Sequence, residues 1–342
     1  MFAWQCTDPT GVDNLTWTEL ATPTPGADEV VIEIKAASLN FPDLLIVQNK
    51  YQFKPTPPFI PGAEFAGIVS ACGSDVRHLA VGQAVAALPS VGAFGTHTCI
   101  KASLCIPLPD SFPLPAAAAF IMAYATSHHA LIDRAQLQPG ETVLILGAAG
   151  GVGSSAIQIA KALGARVVAA ASSAEKCAFC KALGADETID YSTHTPDGGL
   201  RDAIKATCGP QGPNVIYDPV GGAFAEPAFR SIAWRGRYLV VGFASGDIPR
   251  VPFNLALLKG AAIVGVFWGD FAKREPKANA AMLGELLNWF AEGKINPPVQ
   301  QTFAMTDLPA AFEVMAKRAI NGKLVLTNPY NEQALDCDES RA

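Results

Sequence analysis

Four glycines fall within the seven residues Gly147-Ala148-Ala149-Gly150-Gly151-Val152-Gly153, between the apolar run Thr142–Leu146 and a helix-forming stretch. A sharp return of the backbone needs residues without a Cβ, and so does close approach of the main chain to a diphosphate. A helix that starts at such a turn offers its first N–H groups, with no partner inside the helix, to an anion. The pattern is G-x-x-G-G-x-G rather than the commoner G-x-G-x-x-G. Glycines alone would make an ordinary turn. With a strand before them, a helix after them and a second strand–helix unit beyond, they point to a dinucleotide held by Gly150, Gly151, Val152 and Gly153.

The second strand decides which dinucleotide. In a site for NAD(H), a carboxylate near the end of that strand takes the free ribose hydroxyls. Here the strand runs out as Ala169-Ala170-Ala171-Ser172-Ser173-Ala174, with Glu175 only afterwards. Ser172 and Ser173 can donate to a 2′-phosphate and Lys176 can neutralise it, so NADP(H) is expected over NAD(H). The competing reading makes Ser173 a helix N-cap and leaves Lys176 in solvent.

Other groups with chemical potential are weaker. Cys177 and Cys180 form a C-x-x-C, but inside a helical pattern, where residues three apart share a face and pack as small hydrophobes. A redox pair gains its reactivity at a helix N-terminus instead. His128 and His129 are adjacent, so their rings diverge. His97, Cys99 and Cys105 lack the close spacing of a tetrahedral zinc site. No metal is expected.

The elements that must position these groups fall into two textures. Over residues 1–120, short strands such as Glu29–Ala36, Phe65–Ser70, Gln83–Leu88 and Val91–Ile100 are separated by turns, which predicts a barrel-like β unit. Ala116–Leu131 then reads as one helix. From Thr142 onward strands alternate with helices, the mark of a doubly wound parallel sheet, over residues 121–267. Lys161–Ala165 and Lys181–Ala185 both read KALGA, each predicting a helix that ends on its glycine. Residues 268–342 are expected to return and complete the first domain, through helices Asn279–Ala291 and Leu308–Ala319 and a strand Gly322–Thr327, before a loose polar tail. Gly242 and Phe243 follow the fifth apolar strand, at the carboxyl edge where ligands bind in such sheets. Phe267 and Trp268 end the next one.

Composition excludes several classes. The 342 residues exceed what one core usually supports, and half of them are hydrophobic. A net charge of −6 with scattered basic residues gives no surface for nucleic acid. No apolar run is long enough to cross a bilayer. No basic leader precedes an apolar stretch, and the eight cysteines are widely spaced, as in a reducing cytoplasm.

The run Pro61-Gly62-Ala63-Glu64-Phe65-Ala66-Gly67 resembles the glycine–glutamate motif of the medium-chain dehydrogenase/reductase superfamily. Ala148–Gly153, the NVIYDPVGG stretch at Asn214–Gly222 and Gly236–Gly246 are similar to its quinone oxidoreductase branch, and the resemblance covers nearly all of residues 1–327. It implies a GroES-like catalytic domain, a Rossmann domain, a cleft between them and a dimer or tetramer, of which a homodimer is expected. Zinc-dependent members carry histidine directly before the glutamate and a cysteine ligand upstream. Here those places hold Ala63 and the stretch Ser38-Leu39-Asn40-Phe41, and the cysteine-rich structural zinc lobe is missing.

The resemblance also implies roles. Asn40, Asp43 and Tyr51 would line the catalytic site, Asn40 reaching the nicotinamide ribose or the substrate oxygen, Asp43 orienting partners and Tyr51 offering a ring and a hydroxyl to a flat acceptor. Thr126 would face the nicotinamide end and Tyr191 the 2′-phosphate, while Phe267 would wall the pocket or lie in a dimer interface. The expected reaction is NADPH-dependent reduction of quinones or related conjugated carbonyls without zinc. Reduction of an enone or a 2-enoyl thioester is the enzymatic alternative, and a non-catalytic NADPH-binding structural or regulatory protein is the alternative outside catalysis.

Overall fold

The structure, a computed structural model, describes residues 1–194 and 199–328. The polar tail expected beyond Asn328, with Cys337, lies outside the described residues. From the amino end the elements are β1 (Phe2–Cys6), β2 (Leu15–Glu19), β3 (Glu29–Leu39), α1 (Phe41–Val47), β4 (Glu64–Cys72), β5 (Ala84–Ala87), β6 (His97–Lys101), β7 (Cys105–Pro107) and α2 (Leu114–Ala118). Next come α3 (Ile121–His128), β8 (Thr142–Ile145), α4 (Gly151–Ala162), β9 (Arg166–Ala171), α5 (Ala174–Ala182), β10 (Glu187–Asp190), α6 (Gly199–Cys208), β11 (Val215–Asp218), α7 (Ala225–Ser231) and β12 (Arg237–Val240). The chain finishes with α8 (Asn254–Lys259), β13 (Ala262–Gly265), α9 (Trp268–Arg274), α10 (Pro276–Ala291), β14 (Val299–Ala304), α11 (Leu308–Ala316) and β15 (Lys323–Thr327).

Two compact units result. The first comprises Met1–Ala119, Gln301–Ala319 and the described residues from Leu324 on; the second comprises Phe120–Gln300 and Ile320–Lys323. In the first, among the described residues, strands run in the order β14-β15-β3-β4-β5-β7, with β6 also paired to β3. The long strand β3 alternates enough to bury Val31, Ile32, Ile34 and Leu39. Its register against β4 shifts twice, between Val31 and Ile32 and between Ile34 and Ala36, the kind of irregularity that bends a strand toward a barrel. Past the second shift, Ser38 lies opposite Glu64, which brings the residues after β3 to the start of β4.

In the second unit six strands run β10-β9-β8-β11-β12-β13 among the described residues, and the pairings are parallel. A parallel strand covered on both faces must be apolar throughout, and Val143, Leu144 and Ile145 are fully buried. Helix α4 packs Ala156, Ile157, Ile159 and Ala160 into the same core, where each buried isoleucine contributes about 1.5–3 kcal/mol. The repeated KALGA segments do end α4 and α5 on glycines of positive φ, +75° at Gly164 and +106° at Gly184.

Three expectations need correction. Ala116–Leu131 is not one helix: α2 and α3 are separate, and a π-helical turn, His129–Arg134, follows α3. The strand expected from Val91 begins only at His97. Residues 268–300, expected with the return to the first domain, pack with the second unit. Their helix α10 buries Met282 and Leu286, and its Glu285 and Trp289 reach His128 on α3, through a 3.0 Å contact to Nε2 and a ring contact at 5.8 Å.

Candidate active site

Strand β8 delivers the chain to the glycine turn, which is closed by bonds from Gly150 N to Gly147 O (3.0 Å) and from Ala148 N to Ala170 O (3.0 Å) on β9. Gly150 caps α4 with extended backbone, and Ser154 N bonds back to its carbonyl at 2.8 Å. The helix passes so near the strand end that a Cβ on Gly153 would lie 2.5 Å from Gly147 O and 2.7 Å from Ala148 Cα. A Cβ on Gly147 would in turn meet Val220 Cγ2 at 2.7 Å. The cradle therefore exists only with glycine at these places, and its open side carries the first-turn N–H groups of a twelve-residue helix. These residues fit a diphosphate.

Buried hydroxyls fix that first turn. Ser127 Oγ on α3 lies 2.9 Å from Val152 O, 2.8 Å from Ser155 Oγ and 2.9 Å from the Tyr217 hydroxyl, and Ser155 Oγ donates to Ala123 O at 2.9 Å. Burial pushes the Tyr217 phenol up, so it keeps its proton and can donate to Ser127, which donates to Ser155, which donates to Ala123 O. Each hydroxyl hydrogen is then used once, and α3, α4 and β11 are tied at one point. Thr126, the neighbour of Ser127, is half-buried on α3. A second fastening comes from far along the chain: Gly322 N donates to Ala149 O at 2.7 Å, and the buried stem of Lys323 lies against Gly151. No local pattern in the sequence signals this.

At the end of β9, Ser173 caps α5 by accepting from Lys176 N at 3.2 Å, as the capping reading expected. Lys176 Nζ nevertheless reaches Ser172 Oγ at 3.3 Å, so serine and lysine do converge. Glu175 turns toward Asn321, whose amide lies 3.4 Å from its carboxylate. Tyr191 packs its ring on Phe224 at 4.8 Å. The loop with Gly242 and Phe243 hangs from the β11 turn through Ala244 N to Pro219 O (3.0 Å) and Ser245 N to Val220 O (2.9 Å). Phe267 does not end a strand; it precedes α9, 67% exposed, while Trp268 is buried and donates to Asn279.

In the first unit, Asn40 and Asp43 occupy the start of α1. Asp43 accepts from Asn40 N at 2.8 Å and so caps the helix. The Asn40 amide donates to Glu64 Oε2 at 2.9 Å and toward Ser38 O at 3.4 Å. Both amide hydrogens thus face the interior, and Asn40 is 7% exposed. Glu64, fully buried, belongs to this cluster, although in the sequence it stands out only within the Pro61–Gly67 motif. Tyr51 is half-buried, and burial together with the negative charge of Asp43 holds its phenol above the usual range.

Among the described residues no group of three His, Cys, Asp or Glu side chains is placed to hold a metal ion. Ala63, directly before Glu64, is buried. Cys180 is fully buried in α5, and burial pushes its thiol up to about 12, the opposite of a reactive redox pair. Burial lowers His128 and His129, whose rings diverge toward Glu285 and Asp133.

Comparison with known proteins places these features in a wider set. A family model described as "Alcohol dehydrogenase GroES-like domain" matches residues 26–110, and one described as "Zinc-binding dehydrogenase" matches residues 151–284. Quinone oxidoreductase-like protein 2 of Bos taurus is 36% identical over 311 residues, covering 90% of this chain and 88% of its own. The crystal structure of Escherichia coli quinone oxidoreductase complexed with NADPH has 28% identity and a TM-score of 0.88, covering 96% of this chain and 100% of that one. The crystal structure of CurK enoyl reductase has 26% identity and a TM-score of 0.84, covering 96% of this chain and 99% of that one.

Proposed function

The chain belongs to the quinone oxidoreductase family of the medium-chain dehydrogenase/reductase superfamily, and from that premise we propose that it reduces quinones or related conjugated carbonyls with NADPH and without zinc. The observation that carries this reading is the glycine cradle at Gly147–Gly153 with Ser172 and Lys176 converging beyond the next strand. Gly150, Gly151, Val152 and Gly153 would hold the diphosphate, with Thr126, Gly242, Phe243 and Phe267 toward the nicotinamide. Ser172, Ser173 and Lys176, beside Tyr191, would hold the 2′-phosphate. The bound NADPH of the Escherichia coli relative supports this choice of cofactor.

Reduced nicotinamide supplies a hydride when bound. Tyr51 keeps its proton at neutral pH and donates it to the acceptor oxygen. Asn40 and Asp43 act as positioning residues: their bonds to Glu64 and to the α1 terminus hold the loop that carries Tyr51. Where a zinc-dependent relative would place a ligand, Ala63 offers a methyl group, and hydrogen-bond donors take over polarisation of the acceptor. Electron-poor acceptors suit such a site.

The likeness to an enoyl reductase favours a second reading, in which the same donor protonates carbon after hydride addition to an enoyl thioester. NADPH consumption with 1,4-benzoquinone, 9,10-phenanthrenequinone, an enone and crotonyl-CoA separates the two. Fastest turnover of a quinone is expected. Faster turnover of crotonyl-CoA would replace the first reading by the second, and no oxidation of NADPH with any of them would leave a cofactor-binding protein without catalysis.

Lys176→Ala is expected to raise KM for NADPH about tenfold, the effect of losing one charge-assisted contact at a half-exposed site, with KM for NADH unchanged. Equal effects on both nucleotides would remove Lys176 from the 2′-phosphate site.

A homodimer is the expected assembly. The edge strand β13 exposes Ile263, and Phe253 (83%), Leu257 (80%) and Leu258 (68%) stand exposed on or beside α8, apolar area that a monomer rarely leaves in water. Sedimentation is expected at the mass of two chains, and of one chain for Leu257→Glu. A wild-type monomer would end this reading. The described cysteines are free thiols, which supports a cytoplasmic location; no helix among the described residues is long and apolar enough to cross a membrane.

A further inference from the structure

The carboxyl edge of the parallel sheet holds a buried acid that the proposed reaction does not use. Asp218, the last residue of β11, is 3% exposed. Its Oδ1 accepts from Val220 N at 2.8 Å and Gly221 N at 2.9 Å, and its Oδ2 accepts the Tyr238 hydroxyl of β12 at 2.5 Å. Burial pushes the carboxyl up, and these three donors oppose that push. Burial and the adjacent carboxylate push the Tyr238 phenol up as well, so the shared proton stays on the tyrosine. A buried carboxylate is tolerated when its lone pairs are filled in this way.

The turn that Asp218 closes carries two other loops. Val220 is the side chain that sits against Gly147, the first glycine of the diphosphate cradle. Asp218 O accepts from Val241 N at 2.9 Å, Pro219 O from Ala244 N at 3.0 Å and Val220 O from Ser245 N at 2.9 Å, so the loop bearing Gly242 and Phe243 is hung on the same three residues. Gly222 N extends the tie to Asp247 O at 3.0 Å. One turn therefore sets the place of the diphosphate cradle and of the loop assigned to the nicotinamide.

We propose that Asp218 is a positioning residue for the cofactor: its carboxylate, closing the 218–221 turn, holds the diphosphate cradle and the 242–245 loop in fixed register. This rests on the cofactor reading given above. Loss of the carboxylate leaves two buried N–H groups without their acceptor, and the turn must relax to find others. The diphosphate and the nicotinamide are then both misplaced, and a small misplacement of the reacting carbon is costly in rate.

The test uses Asp218→Ala, Asp218→Asn and Val220→Ala, with NADPH binding by fluorescence, steady-state kinetics with 1,4-benzoquinone and the isotope effect of NADPH deuterated at the transferred position. Asp218→Ala is expected to raise Kd for NADPH about tenfold, to lower kcat at least as much and to enlarge the isotope effect on kcat. Asp218→Asn keeps an amide oxygen for Val220 N and Gly221 N, and is expected to recover most of both constants. A folded Asp218→Ala protein with wild-type Kd, kcat and isotope effect overturns the proposal while leaving the cofactor reading intact. Absence of saturable NADPH binding by the wild-type protein instead overturns both. Should Asp218→Ala not fold, Val220→Ala carries the test. It removes the Val220 methyl groups, Cγ2 facing Gly147 among them, while the Asp218 carboxylate stays, and is expected to raise Kd at least about threefold; an unchanged Kd there overturns the proposal.

Discussion

Gly153→Val is expected to weaken NADPH binding severely. The new Cβ would lie 2.5 Å from Gly147 O and 2.7 Å from Ala148 Cα, and both are backbone atoms that cannot swing aside as the end of a flexible side chain can. Relief requires α4 to back away from the end of β8, which carries its first-turn N–H groups off the diphosphate. Weakening of about 100-fold or more, about 2.7 kcal/mol, is the expected scale, read by fluorescence titration. Gly284→Ala is the control. Gly284 is exposed in α10 of the same unit, and a Cβ there meets nothing within 4 Å. Alanine in a helix interior should stabilise by about 1 kcal/mol, raising Tm while leaving Kd unchanged. Wild-type affinity in a folded Gly153→Val protein would detach the diphosphate from this turn altogether.

Tyr51→Phe is expected to lower kcat for quinone reduction about 100-fold, the lower range for loss of a positioned proton donor, with KM for NADPH unchanged. The ring stays, so packing of a flat acceptor is retained and the loss isolates the hydroxyl. The pH profile gives a second reading. Because burial and Asp43 raise the phenol, its protonated donor form persists through neutral pH and is lost only above the usual tyrosine value near 10. Wild-type kcat should therefore be level from about pH 6 to 9 and fall beyond about pH 10, and that alkaline limb should be missing in Tyr51→Phe. Unchanged kcat in the variant would assign the proton to solvent.

The glycine turn and its flanking elements were legible because their signals are local. A run such as Val143–Ile145 is continuous and apolar for a reason that applies to any strand covered on both faces, and the turn residues follow it directly. The capping role of Ser173 was legible for the same reason. The break between α2 and α3 was not, since Ala116–Ala119 are good helix formers and no glycine or proline stands between them and His129 to mark a boundary. Nor did periodicity reveal which unit α10 joins, because an apolar stripe declares that it is buried and not against what. The Asn40–Glu64, Ser127–Tyr217 and Asp218–Tyr238 pairs were beyond reach for a further reason. A buried polar side chain is tolerated only with a partner, yet nothing near it in the chain names that partner.

The bond from Gly322 to Ala149 and the seating of Lys323 on Gly151 have a consequence for biosynthesis. A chain emerging from the ribosome has every strand of the parallel sheet available well before it possesses residues 320–323. The nascent second unit can therefore collapse early, but its glycine turn lacks these braces until residues 320–323 have been made. On the cofactor reading proposed above, fragments ending before Ile320 should fold their sheet yet bind the dinucleotide poorly.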